Sequence, residues 1–272
     1  VSEAGEVHRL LQTSSARAGA TAPAVSSAAG GWAALATAAT VVALVTAPAL
    51  SGCGARPSAE GYFPLAAGHR WEYDQRIEWE NHTIEHEPLV LSTEGRESPE
   101  GLDGGPAWRR RSASGVDYWL RSDETGIYRV ASKSDLDEAP KPDTPRRYVL
   151  KAPFTVGTHW QATTTAYLLR RRQEFPREIR HSHPAVPMSY TIEAIGEKVA
   201  TRAGRFENCL RVRGEAKVRL FADPVQGWRD LPLTTLEWYC QGVGLVRLER
   251  DEPAASTFLT GGKLVLELIA WH

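Results

Sequence analysis

The stretch Leu210-Arg-Val-Arg-Gly-Glu-Ala-Lys-Val-Arg-Leu220 sets the fold class. In it Leu210, Val212, Ala216, Val218 and Leu220 alternate with Arg211, Arg213, Glu215, Lys217 and Arg219. Successive side chains leave a strand on opposite sides, so a period of two puts every apolar residue on one face. Thr234 to Tyr239, Gly244 to Glu249, Ser189 to Val199, Trp160 to Leu169, Asp117 to Arg121 and Ile127 to Ala131 continue the pattern. Between them lie Gly, Pro, Asp and Asn, and almost nothing has a helical period. About a dozen strands fit, and the chain is expected to be an antiparallel all-β protein.

A repeat is superimposed on this alternation. Pro64-Leu65-x-x-Gly68-x-x-Trp71 recurs as Pro153-Phe154-x-x-Gly157-x-x-Trp160. Later in each copy an aromatic pair precedes glycine and aliphatic residues: Tyr118-Trp119 before Gly126-Ile127-Tyr128, and Trp238-Tyr239 before Gly242-Val243-Gly244-Leu245-Val246. A spacing of about ninety residues is too long for a solenoid. It reads as duplication of a four- or five-strand unit, about 62–134 and about 146–272, with Asp135 to Pro145 as the linking loop. Pro and Gly force the entry turn and Trp buries a large ring, so folding alone accounts for the repeat.

Upstream, Trp32 to Leu50 is an uncharged apolar run that ends in Leu50-Ser51-Gly52-Cys53. Small residues suit a signal peptidase cleft, and the thiol that follows can accept diacylglycerol. The junction resembles the bacterial lipobox. The only positive charges before the run are Arg9 and Arg17, and its length also suits a plain membrane anchor; Pro48 and the motif at its end weigh against that. The chain divides into an extension and signal peptide at 1–52, a lipidated cysteine and tether at 53–61, and a β domain at 62–272.

Tyr62-Phe63-Pro64-Leu65-x-x-Gly68-x-x-Trp71-x-Tyr73, Gly204-x-Phe206-x-x-Cys209-Leu210-x-Val212 and the Trp238 to Val246 segment together resemble a broad group of bacterial envelope lipoproteins. The resemblance covers nearly the whole exported domain. It implies a strongly curved antiparallel sheet, half-barrel or sandwich-like, and brings no catalytic residues with it. Gly54 stands where an aspartate in such lipoproteins signals inner-membrane retention, which implies the outer membrane, facing the periplasm.

Lys and Arg (32) balance Asp and Glu (33), so no net field draws the chain to nucleic acid. Cys209 and Cys240 are candidate disulfide partners on the arms of a hairpin whose loop is Phe221 to Pro232. Cys209 lies on the charged phase of its strand while Cys240 shares phase with Leu236 and Trp238, so the pairing stays open. His82 with His86, and His181 with His183, are imidazole pairs at short spacing, but neither spacing is strong without a helix or a carboxylate in register, and no metal or cofactor is expected. Arg109 to Arg111 and Arg170 to Arg172 cannot present three side chains to one ligand, because neighbours on a strand face opposite ways. Trp71, Trp160 and Trp238 read as core, and Trp228 as the exposed aromatic.

No nucleophile elbow or phosphate loop is present, and no enzyme activity is expected. Two functions remain. One is a lipid-anchored module that binds a lipid or other apolar ligand in an open cavity. The other is a structural or protein-interaction lipoprotein with a filled interior and an exposed apolar patch or sheet edge, recognising an envelope protein partner. Both need the anchor, and the two or three acyl chains of a lipoprotein supply it where one chain binds only marginally. Cys53→Ser is expected to move the protein out of the membrane fraction, and unchanged lipid labelling in that variant would exclude Cys53 as the anchor.

Overall fold

A computed structural model describes residues 59–99, 101–171 and 183–272. The signal segment, Cys53 and the tether as far as residue 58 lie outside the described residues. A helical turn, α1 (Ala59–Tyr62), precedes β1 (Arg70–Trp79), β2 (Ile84–Glu97), β3 (Ala107–Ser112), β4 (Asp117–Asp123), β5 (Gly126–Lys133) and β6 (Lys141–Lys151). Then come β7 (His159–Ala166), β8 (Arg170–Arg171), β9 (His183–Thr201), β10 (Gly204–Asp223), β11 (Gly227–Cys240), β12 (Gly244–Glu252), β13 (Leu259–Thr260) and β14 (Gly262–Trp271).

Twelve of these strands form one sheet in the order β6-β5-β4-β3-β2-β1-β14-β12-β11-β10-β9-β7, while β8 and β13 pair separately. Every ladder is antiparallel. The end strands β6 and β7 come alongside one another without joining the ladder, so the sheet is a barrel closed except at one seam. The expected all-β curved sheet is therefore what forms, and it curls almost completely round.

Alternation explains the curl. In β1, Trp71, Tyr73, Gln75, Ile77 and Trp79 are buried while Glu72, Asp74, Arg76 and Glu78 take the other side. Next to it, β14 buries Leu264, Leu266 and Leu268 completely. Each such side chain contributes roughly 1.5–3 kcal/mol on leaving water. A twisted sheet with one apolar face can bury that face by wrapping it round itself.

The repeat maps onto the two halves of the barrel. Trp71 and Trp160 sit at the starts of β1 and β7, each preceded by a glycine with φ near +90°, Gly68 and Gly157. Each half supplies six strands to the sheet, not four or five, and the first extends to Lys151. The linking loop is shorter than expected because β6 begins at Lys141. Pro142 and Pro145 make that stretch look like a loop, but an edge strand tolerates proline where no ladder bond is needed.

Phe221 to Pro232 is also no loop. β10 runs to Asp223 and β11 starts at Gly227, leaving a tight turn in which Gly227 has φ +67°. Beyond Ala216 and Thr234 the two strands pair only with each other, forming a two-stranded arm. Val218, Ala222, Leu231 and Leu233 are buried along one side of the arm, whereas Val225 (95% exposed) and Trp228 (64%) stand out at its tip.

Cys209 lies directly opposite Cys240 in the β10–β11 ladder, and their sulfurs are bonded at 1.98 Å. The difficulty of facing disappears because Leu236 and Trp238 are paired with Arg213 and Arg211. Thr235, Glu237 and Tyr239 take the buried side instead. Both cysteines therefore share the outer phase, and no bulge is needed between β10 and β11. Replacing both with alanine is expected to cost roughly 3–4 kcal/mol, the chain-entropy value for a loop of about thirty residues. A shift in the urea midpoint reads the loss, and an unchanged midpoint would show that the bond contributes nothing.

Candidate functional site

The inward face of this barrel is not wholly apolar. Arg250 and Glu252, on β12, lie inside with side chains 1% and 0% exposed, and Arg250 Nε meets Glu252 Oε1 at 2.5 Å. The other carboxylate oxygen accepts the backbone N–H groups of Tyr167, Leu168 and Leu169 at 3.1, 2.8 and 3.2 Å. Arg250 also donates to Thr164 Oγ1 and to the Thr165 carbonyl, and its guanidinium covers the Tyr167 ring. Burying an ion pair costs desolvation, which this many hydrogen bonds offset.

A second carboxylate stands on β11. Glu237 accepts the Tyr239 hydroxyl at 2.5 Å and, more weakly, Thr235 Oγ1. Burial holds its carboxyl above the usual range, against the Tyr239 hydroxyl and Arg250, which pull it down. Space beside it is tight. A Cβ on Gly214, on the facing strand, would come within 2.5 Å of Thr235 Oγ1 and of Met188 Cε.

Arg147, on β6 at the seam, completes the belt. It is 6% exposed, and its Nε and Nη2 have no hydrogen-bond acceptor among the described residues. Burial lowers it to about 10, against the attraction of Tyr190 and Glu237, so it stays charged at neutral pH. Across the seam on β7, Trp160 stacks on Tyr190 with ring centroids 5.6 Å apart, and its buried Nε1 is likewise without an acceptor. Burial pushes the Tyr190 hydroxyl up to about 12 and Thr164 shares a hydrogen bond with it, so it remains neutral.

No protein-family model matches the chain, and no curated protein matches it. Two crystal structures are similar to it at low identity. One is a "putative lipoprotein" from Parabacteroides distasonis, 14% identical, with a TM-score of 0.40, covering 78% of this chain and 98% of that one. The other is a "putative exported protein with YmcC-like fold" from Bacteroides fragilis, 13% identical, with a TM-score of 0.37, covering 77% and 98%.

The residues singled out in the sequence do not assemble into one site. Cys53, His181 and Arg172 lie outside the described residues. His86 meets Asp74 at 3.2 Å, His82 occupies a turn with φ +65°, and His183 begins β9. Among the described residues no three metal-ligating side chains converge. The Arg109 to Arg111 run splits as strand geometry requires. Arg110 is buried over the Phe63 and Trp71 rings, while Arg109 and Arg111 approach Asp117. Arg170 covers the Trp79 ring. Trp71 and Trp160 are core, Trp238 is half-buried with its indole donating to Glu197, and Trp228 is exposed.

The belt residues Arg147, Glu237, Arg250 and Glu252 were missed because a charged residue in an alternating strand reads as solvent-facing. The available signal was phase. Glu237 shares its phase with Tyr239, and Arg250 and Glu252 share theirs with Leu248.

A raised carboxyl pKa means that the folded state keeps a proton the unfolded chain releases, so Glu237 makes the protein less stable as pH rises from about 4.5. Glu237→Gln keeps an acceptor for Tyr239 and removes the titration. The variant is expected to be more stable than the parent at pH 8, by about 1.4 kcal/mol for each unit of upward shift, and to lose the advantage near pH 4. Urea melts at the two pH values check this, and a parent whose stability rises from pH 5 to 8 relative to the variant contradicts it.

Proposed function

We propose that the chain is an exported lipoprotein, lipidated at Cys53, whose barrel acts as a protein-interaction module tethered at the outer membrane and facing the periplasm. The observation that carries this reading over an apolar-ligand carrier is the charged belt inside the barrel. An acyl chain passing through would lie against Arg147, the Arg250–Glu252 pair and Glu237, and charged or polar groups set against hydrocarbon without new hydrogen bonds are costly. It would also need space beside Ile77, Ile192, Val212, Leu233 and Leu264, none of which keeps any surface accessible to water.

Apolar surface lies outside instead. Val225 and Trp228 at the arm tip stand near Phe221, whose ring meets Trp228 edge-on at 6.0 Å, and Phe258 is also half exposed. The chain enters the barrel at the far end of the same strand, where Gly242 N–H donates to the Gly61 carbonyl at 2.7 Å. At about 3.3 Å per residue, the 14-residue β11 separates the two ends by roughly 45 Å. Anchor and exposed patch therefore do not compete for one surface, and an exposed apolar patch of this kind suits a protein partner.

Native mass spectrometry of residues 54–272, purified from the periplasm, tests the choice. The interaction reading predicts a mass free of lipid-sized adducts. A retained lipid would overturn it in favour of a carrier.

A further inference from the structure

Around the seam the second half of the barrel and the first are not equivalent. At the bonded junction, β14 turns only leucines and a glycine inward; β6, its counterpart in the first half, turns Arg147 inward. Trp71 at the start of β1 donates its indole N–H to the Val243 carbonyl at 2.6 Å, whereas its repeat partner Trp160 donates to nothing among the described residues. The two lips of the seam thus carry three buried N–H donors with no acceptor among the described residues, Arg147 Nε, Arg147 Nη2 and Trp160 Nε1, and Tyr190, on which Trp160 stacks, also attracts the Arg147 guanidinium. Glu237, which attracts Arg147, is engaged by Tyr239. A buried donor left without an acceptor is costly, and more so when it is charged.

The chain shows what that edge of a guanidinium takes. Arg129 is the register partner of Arg147 on β5, and it uses the same pair of atoms, Nε and Nη2, to clasp Asp143 at 2.6 and 2.9 Å. Its carboxylate is thereby consumed, and Arg147 beside it has none. We propose that Arg147 and Trp160 form a binding site for a small carboxylate anion, which enters through the unbonded β6–β7 seam and is held by the Nε/Nη2 edge of Arg147 with the Trp160 indole as a third donor. The parallel N–H pair matches the two oxygens of a carboxylate. Both lips are sheet edges, so no ladder bond has to break for a small molecule to enter. The site is separate from the arm tip, and the proposal does not depend on the protein-interaction reading.

The test is an indole N–H NMR titration of the full-length lipidated chain in detergent micelles, with sodium acetate exchanged for sodium chloride at constant ionic strength. One indole resonance is expected to shift saturably, and Trp160→Phe should remove that resonance. Arg147→Lys keeps the charge but loses the paired contact and should weaken binding by about tenfold; Arg147→Met should abolish it. No saturable shift in the parent, or a shift that persists unchanged in Arg147→Lys, overturns the proposal. The lysine variant keeps the test decisive should the methionine variant fail to fold.

Discussion

The contact on which the barrel most depends is the carboxylate of Glu252. With one oxygen it holds Arg250, and with the other it collects the three consecutive N–H groups of Tyr167, Leu168 and Leu169. Those residues follow β7, the strand that forms one lip of the seam, so a side chain on β12 fixes a segment that no ladder reaches. Unsatisfied N–H groups at this depth would be costly, and removing one partner of a buried pair typically costs about 3–5 kcal/mol. Glu80 repeats the device nearby. Its two oxygens accept the N–H groups of Ala254, Ala255 and Gly261 and so pin the chain between β12 and β14. Gly261 has to be glycine there, since a Cβ would come within 2.0 Å of the Glu252 carbonyl.

This arrangement explains how a duplicated sheet can be nearly closed without a complete ladder. One junction between the halves, β1 with β14, is a regular antiparallel pairing along most of its length. The other, β6 with β7, has no such pairing and depends on inward side chains. Apolar groups dominate the first junction and polar ones gather by the second. Where backbone groups pair with each other, leucines suffice behind them; where the strands only approach, a hydrogen-bonded charged cluster supplies direction that packing lacks.

Much of the fold was legible in the sequence. The alternation from Leu210 to Leu220 in β10 marked the buried face correctly, and Pro64 to Trp71 against Pro153 to Trp160 exposed the duplication. The errors fell where one local rule had two meanings. Pro142 and Pro145 mark a loop or an edge strand equally well, and only the place of β6 at the end of the sheet selects the second. Leu236 and Trp238 look like the buried phase of β11. Yet Thr235, Glu237 and Tyr239 face inward, because the opposing register with Arg211 and Arg213 fixes which side is outside.

By itself, then, the sequence determined the strand content, the antiparallel class, the internal repeat and the sites of the entry turns, all of which follow from side-chain period and from the φ preferences of Pro and Gly. Tertiary structure alone decided the closure, the seam and the interior charge. Arg147, Trp160, Glu237 and Arg250 lie on four different strands, and nothing in their spacing along the chain brings them together. Their partners are set by how far the sheet curls before its edges meet, and that depends on the summed twist and packing of all twelve strands.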